Sequence, residues 1–536
     1  MTGSESYEYA TLKHLESAAR GSFVLFIGEF TYNLILALGS IVIARILTSE
    51  GYGAFSLALV PPLTLVTLLS FGIDTAASRY SQLFYAKNSE GMVKAVIKAS
   101  LLTKIALGVI GSTLCFILAE PLVSLLINRP DLAFYVRVTA IVVLLQSTYS
   151  LMLSIFVGLE KVMGATLTKI VYSIVKTAAS LCLLLLLQLG VLGALLGNVA
   201  GYVSALAVAF LFLVWILRGF SKGNGNGMSV SVVAKDMLRY GLPLYVASLI
   251  PMLVSNIYQN ALLAYNLSNR EVGGYRAMAN LCVLITVVTT PISATLLPLF
   301  TKVCDNKNEL NKIVHLANKY VTIIVIPVTV FAMIFSREIL YLFYGADYIF
   351  ASPFLPLLLA PNLLAGLGSI TIPALFNAIG DTKVNMYSTI LSSIVFIPLS
   401  YVLTVSAKLW GFLTASLISS VAGLLFLLNY VKRYVAKPVS YNHVFKTYIA
   451  SILSAIPTLL VFLIPIPKFV SILRVLTGFI IFLTFYILIA LIVKALNEDD
   501  ITFIVNAFKG FPIISTIIAL IGGYAKTIAK FISERS

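Results

Sequence analysis

Long apolar runs of roughly 18 to 25 residues, each able to cross about 30 Å of hydrocarbon, follow one another along the chain with short polar connections between them. Fourteen are predicted as membrane-spanning helices, at 22–46, 52–73, 94–118, 132–157, 165–189, 191–217, 240–266, 272–300, 318–336, 353–378, 384–407, 411–430, 445–464 and 469–494. Before the first run, Leu12, Leu15 and Ala19 fall on one side of a helix otherwise rich in charge, the pattern of a segment lying on a membrane surface. After the last, Asp500 and its acidic neighbours alternate with Ile501, Phe503 and Phe508, which predicts interfacial helices rather than a further span.

The pattern is duplicated. The turn Ala44-Arg45-Ile46-Leu47-Thr48-Ser49-Glu50-Gly51-Tyr52-Gly53 joins two apolar helices, and about 221 positions later Glu271, Gly274 and Ala279 stand where Glu50, Gly53 and Ala58 stood. Gly158-Leu159-Glu160-Lys161 returns as Gly380-Asp381-Thr382-Lys383 at nearly the same offset. Two matches at one spacing predict duplicated halves. The expected organisation is an interfacial segment (1–21), a six-helix lobe (22–217), a cytoplasmic linker (218–239), a second six-helix lobe (240–430), two further helices (445–494) and an interfacial tail (495–536). The linker stretch 219–231, rich in Gly, Asn and Ser, has no Gly-Lys-Ser/Thr after it and no strand before it, so it predicts a flexible connection rather than a phosphate loop.

Composition narrows the class further. With 60% hydrophobic and 11% charged residues the chain is predicted to be a polytopic, all-α membrane protein. The net charge of +16 does not predict nucleic-acid binding, because the bases fall between apolar runs instead of gathering on one exposed face. They are also unevenly shared: about 26 Lys and Arg lie in alternate connections together with the termini, and about nine in the opposite set. Both termini are therefore expected in the cytoplasm. Glu5, Glu8 and Glu16 replace the basic start of a cleaved leader, so none is expected. Cys115, Cys182, Cys282 and Cys304 stand singly, and His14, His315 and His443 sit in polar connections; no metal, cofactor or redox pair is expected. The sequon Asn266-Leu267-Ser268 abuts the membrane and is expected to stay unused.

The fourteen spans, the duplicated half, the Ala44–Gly53 turn and the two loops at Gly158 and Gly380 resemble the polysaccharide flippases, the Wzx-like branch of the multidrug, oligosaccharidyl-lipid and polysaccharide exporter superfamily. The resemblance covers about 20–495. It implies two pseudo-symmetric lobes around a central cavity, a polyprenyl-phosphate or diphosphate-linked glycan as cargo, alternating access driven by an ion gradient or the membrane potential, and a lipid-tail groove beside the last two helices. It transfers no residue roles.

Those roles come from chemistry. An anionic head group crossing a membrane needs cations in a wet chamber, and Lys104 and Lys176 fall inside spans, where charge is costly. Lys169, Tyr172, Ser173, Lys176 and Ser180 recur at helical spacing as one polar stripe. Arg45 sits at a helix end and Arg276 follows the outer turn; Asn33 shares a face with Glu29, and Gln259 one with Ser255. The expected substrate-binding set is thus Lys104, Lys176, Lys169, Arg45, Arg276, Asn33 and Gln259, with Glu29 taking a proton or cation. Each has a structural alternative: Glu29 neutralising Lys104 or Lys176, arginines snorkelling, hydroxyls packing helices. The competing functions are a cation-coupled drug-efflux antiporter and a membrane polymerase or glycosyltransferase. The basic spans disfavour the first, and the short outer loops the second. A transporter and not an enzyme is expected, in the cytoplasmic membrane, with membrane lipids and glycosyltransferases or polymerases as partners.

Overall fold

In the computed structural model the chain is all-helical, and no strand occurs among the described residues. These are 3–220, 230–304, 306–463, 471–497, 500–502, 505, 522–524 and 527, with side chains from 28 onward apart from 230–231, 244, 247–248, 250, 283–295, 297–298 and 471. The middle of the linker (221–229), the side chains of the first segment and most of the tail lie outside them.

The chain divides into two units, Met1–Arg276 and Ala277–Ser536. The first holds α1 (Gly3–Ala58), α2 (Val60–Leu68), α3 (Ile73–Ala86), α4 (Glu90–Ile117), α5 (Ala119–Leu126), α6 (Ala133–Thr139), α7 (Val142–Gly158), α8 (Val162–Leu185), α9 (Gly190–Arg218), α10 (Val230–Met252), α11 (Gln259–Asn266) and the start of α12 (Asn269–Val303). The second holds the rest of α12, then α13 (Lys307–Ile334), α14 (Ser336–Tyr344), α15 (Leu355–Leu363), α16 (Thr371–Ile379), α17 (Thr382–Val431), α18 (Tyr441–Leu459) and α19 (Ser471–Ile492).

Among the described residues nine helical stretches are long and apolar enough to cross a membrane, and the pair Pro130–Thr139 and Val142–Gly158, bent by 48°, makes ten. Two of the nine, Gly28–Leu68 and Thr382–Val431, run to 41 and 50 residues, about twice what one crossing needs. Each is broken inside by non-helical backbone, at Thr48 (φ 63°) and at Ala407 with Lys408 (φ 48°). α10 passes into α11 through a π-helical turn, Leu253–Tyr258, just after Pro251.

The duplicated turns meet inside the first unit. A Cβ on Gly53 would lie 1.8 Å from the Asn269 carbonyl oxygen, and one on Gly273 would lie 1.9 Å from that of Ser49. The contact is reciprocal at an offset of 220, one less than the offset that pairs Glu50 with Glu271, and only glycine lets the backbones approach so closely. Arg129 donates to Asn269 Oδ1 at 3.1 Å, and the Tyr265 hydroxyl donates to the Ser124 and Leu125 carbonyls at 3.0 Å, tying the α5 end to the same place.

Each unit has its own apolar core. In the first, Val96, Leu151, Phe156 and Ala205 pack α4, α7 and α9 together. In the second, Phe300, Val321 and Phe376 form one cluster, while Ile323, Phe482 and Leu496 form another against α13 and α19. Beside the latter, Lys319 on α13 donates to both carboxylate oxygens of Asp500 at 2.7 Å, and the Tyr486 hydroxyl donates to the Ile323 carbonyl at 2.9 Å.

Candidate functional site

α8 carries the polar stripe, and its neighbours are set by small residues. Glycines at 197 and 201 on α9 face Ser180 and Lys176 so closely that a Cβ on Gly201 would sit 2.7 Å from the Lys176 Cβ. This close packing turns half of the stripe inward. Ser173 donates to the Ile170 carbonyl at 2.8 Å and Ser180 to the Ala194 carbonyl at 3.3 Å, so both hydroxyls are spent on the helices themselves. The Tyr172 hydroxyl donates to Asn198 Oδ1 at 2.8 Å, and its ring packs at a tilt against Tyr202 and Tyr149, with centroids 4.5 and 5.5 Å away.

The two lysines of the stripe remain. Lys169 forms an ion pair with Glu29 of α1, and both side chains are partly exposed, at 24% and 43%. Lys176 is half-buried, its ammonium 5.5 Å from the centre of the Tyr172 ring, and it has no ion-pair partner among the described residues. Glu29 therefore neutralises neither Lys104 nor Lys176; its partner is Lys169.

Lys104 stands midway along α4 and is 1% exposed. Its ammonium lies 3.1 Å from Asp74 Oδ2, so in this conformation it is a paired, enclosed charge rather than a free cation facing a chamber. Asp74 is the residue that sequence reasoning missed. The predicted span ended at 73, but the chain only kinks at Phe71 (φ 44°) and Gly72 (φ 68°) and resumes as α3, with Asp74 in its first turn. The requirement that a buried lysine find a carboxylate was the available signal, and Asp74 stood one residue past the expected end.

Serines stand near both pairs. Asp74 and Ser78 are one turn apart on α3, Ser150 and Ser154 one turn apart on α7. Ser150 lies beside the Asp74 carboxylate, while Ser78 and Ser154 line a cavity of about 220 Å³ together with Glu29, Lys169 and Thr166.

The remaining candidates lie elsewhere. Arg276, half-buried, donates to Asn260 Oδ1, next in sequence to the half-buried Gln259 at the start of α11. Arg45 and Asn33 are exposed and make no hydrogen bond or ion pair with the described residues. The structure thus joins Glu29 with Lys169, Lys104 with Asp74, and Arg276 with Asn260 beside Gln259.

A family model described as polysaccharide biosynthesis protein matches residues 18–304, more than half of the chain. The chain belongs to that family. A second model, described as lipid II flippase MurJ, matches 277–487, so the two together extend across both units of this family member. Among curated proteins none matches. Among solved structures, the lipid II flippase MurJ in an inward closed conformation is similar at 15% identity and a TM-score of 0.68, over 87% of this chain and 99% of that one. An inward-facing multidrug resistance MATE family transporter of the MOP superfamily is similar at 18% identity and a TM-score of 0.60, over 75% and 96%. A MOP superfamily transporter from Pyrococcus furiosus, whose title reports reverse polarity of its binding pocket, is similar at 18% and 0.52, over 78% and 96%. At these identities the likeness is one of fold: this polysaccharide biosynthesis family member is a multi-pass membrane protein with the architecture of a MOP superfamily transporter.

Proposed function

We infer that the chain flips a lipid-linked glycan precursor from the inner to the outer leaflet of the cytoplasmic membrane, by alternating access of its halves (22–217 and 240–430) driven by an ion gradient or the membrane potential. The membership in the polysaccharide biosynthesis family and the likeness to a lipid II flippase support this class of cargo. The observation that carries the chemistry is Lys176. It is a half-buried intramembrane lysine with no carboxylate partner among the described residues, and a polyprenyl phosphate or diphosphate requires such a cation. Lys104 and Lys169 already have counter-ions, so Lys176 is the primary phosphate ligand. Lys169, Arg276, Gln259, Asn33 and Arg45 supply secondary contacts to glycan and head group, and both termini face the cytoplasm. The chain acts as a transporter and not as an enzyme, and it draws its cargo from glycosyltransferases and delivers it to polymerases.

The test is translocation of a fluorescent lipid-linked glycan by the purified protein in vesicles. The expected outcome is flipping by the wild type and at least about a tenfold slower rate in Lys176→Ala, the loss of roughly 1.4 kcal/mol of head-group stabilisation. Equal rates would remove Lys176 from the site. The likeness to a MATE transporter favours drug efflux as the second reading. Export of a cationic dye without glycan flipping would select it.

A further inference from the structure

In the pair Asp74–Lys104 the ammonium lies 3.1 Å from Oδ2 of the carboxylate. The other, Oδ1, is buried and has no hydrogen-bond partner. A buried acceptor left unmade is costly, and a carboxylate with one open oxygen is the simplest group that a proton can complete. One helical turn away, Ser78 and Ser154 line the cavity of about 220 Å³, large enough for water, that holds the partly exposed Glu29–Lys169 pair.

We propose that Asp74 is the proton-carrying group of the transport cycle, reached from the Glu29–Lys169 cavity along the serines of α3 and α7. This rests on the flippase reading for what the proton drives, but not for where it binds. A proton arriving through water adds to Oδ1 and converts the carboxylate to a neutral acid; Lys104 keeps its charge, and no other bond changes. An ammonium 1% exposed then stands without its counter-ion, which disfavours the present packing of α3, α4 and α7. Release of the proton restores the pair. Coupling arises because the two states of Asp74 favour different arrangements of the same helices.

The surroundings favour a proton over a metal cation. Of the elements packed against α3, α4 supplies the ammonium of Lys104, which occupies the cation position beside Oδ2 and repels a second positive ion. α7 carries no charged residue and places Ser150 beside the carboxylate. α10 turns Lys235, Asp236 and Arg239 outward, and its Tyr240 lies under Arg79, 4.0 Å from the guanidinium carbon to the ring centre.

Two measurements on the full-length protein in vesicles decide the matter. Infrared difference spectra between mildly alkaline and mildly acidic buffer should show a newly protonated buried carboxyl. That band should be lost in Asp74→Asn, kept in Glu29→Gln and unmoved by sodium at constant pH. A band that survives Asp74→Asn, or a wild type without one, overturns the proposal. The second measurement is glycan flipping with and without an imposed pH gradient. Because Asp74→Asn leaves Lys104 unpaired and can fail to fold, the charge-balanced double variant Asp74→Asn/Lys104→Gln is compared as well. It should lose the acceleration by the gradient while exchange without a gradient persists. If the double variant still responds to the gradient, the pair is structural and the proposal falls. If the wild type flips no glycan, the transport reading fails, and the infrared result alone then judges Asp74.

Discussion

Lys104 and Lys176 look alike in the sequence, each a base deep in an apolar run, and their surroundings are opposite. Removing one partner of an enclosed pair leaves the other charge buried, which costs about 3 to 5 kcal/mol, whereas removing both together costs much less. Lys104 is 1% exposed and Asp74 20%, so Asp74→Ala should lower the thermal stability of the detergent-purified protein by an amount of that order, Lys104→Ala by about 1 to 3 kcal/mol, and the double variant by less than Asp74→Ala alone. Lys176→Ala has no ion-pair partner to strand and should change stability by about 1 kcal/mol or less while slowing flipping. A pair of melting curves separates the two: similar losses for both lysines would contradict the assignment. Hydropathy located both residues because charge interrupts an apolar run visibly. It was blind to the partner of Lys104, because Asp74 lies past a kink made by two residues in the left-handed region, Phe71 and Gly72, and a smooth helix projection ends the span before reaching it.

At the level of elements, the duplicated turn was legible from Glu50, Gly53 and their counterparts, but its packing was not. Spacing shows that a motif recurs; it does not show that the two copies touch. In the structure Gly53 rests on the Asn269 carbonyl and Gly273 on that of Ser49. Backbone oxygens cannot move aside as a side chain can, so Gly53→Ala and Gly273→Ala should each destabilise the protein by about 1 to 3 kcal/mol, the usual cost of overpacking. Since both act on one contact, the double variant should lose less than the sum of the two. Full additivity in thermal unfolding would mean that the turns do not meet. The stripe on α8 shows the converse limit. Its periodicity was plain, yet Ser173 and Ser180 serve helix packing, because the glycines of α9 draw the two backbones together. Gly201→Leu should push against the Lys176 Cβ and impair flipping by moving α8, with Lys176 itself still present; an unchanged rate would show that the α8–α9 contact does not position the lysine.

For the molecule as a whole, the fold was the most legible property, because hydrocarbon leaves the backbone few choices: every peptide group must be satisfied within a helix, and each crossing needs a minimum apolar length. The same solvent fixes orientation through charge. Basic connections tend to stay on the cytoplasmic side, and the imbalance of about 26 to nine predicts both termini there. Asp131, exposed before α6, should then lie outside, while Lys87 after α3 and Lys432 after α17, both exposed, should lie inside. With the native Cys115, Cys182, Cys282 and Cys304 replaced, a membrane-impermeant thiol reagent applied to intact cells should label Asp131→Cys directly. It should reach Lys87→Cys and Lys432→Cys only after permeabilisation. The inverse pattern would place the basic connections outside and, with them, reverse the direction in which a lipid-linked glycan is carried. Labelling on opposite sides for Lys87 and Lys432 would mean an odd number of crossings between them, which two six-helix halves inserted with the same orientation do not allow.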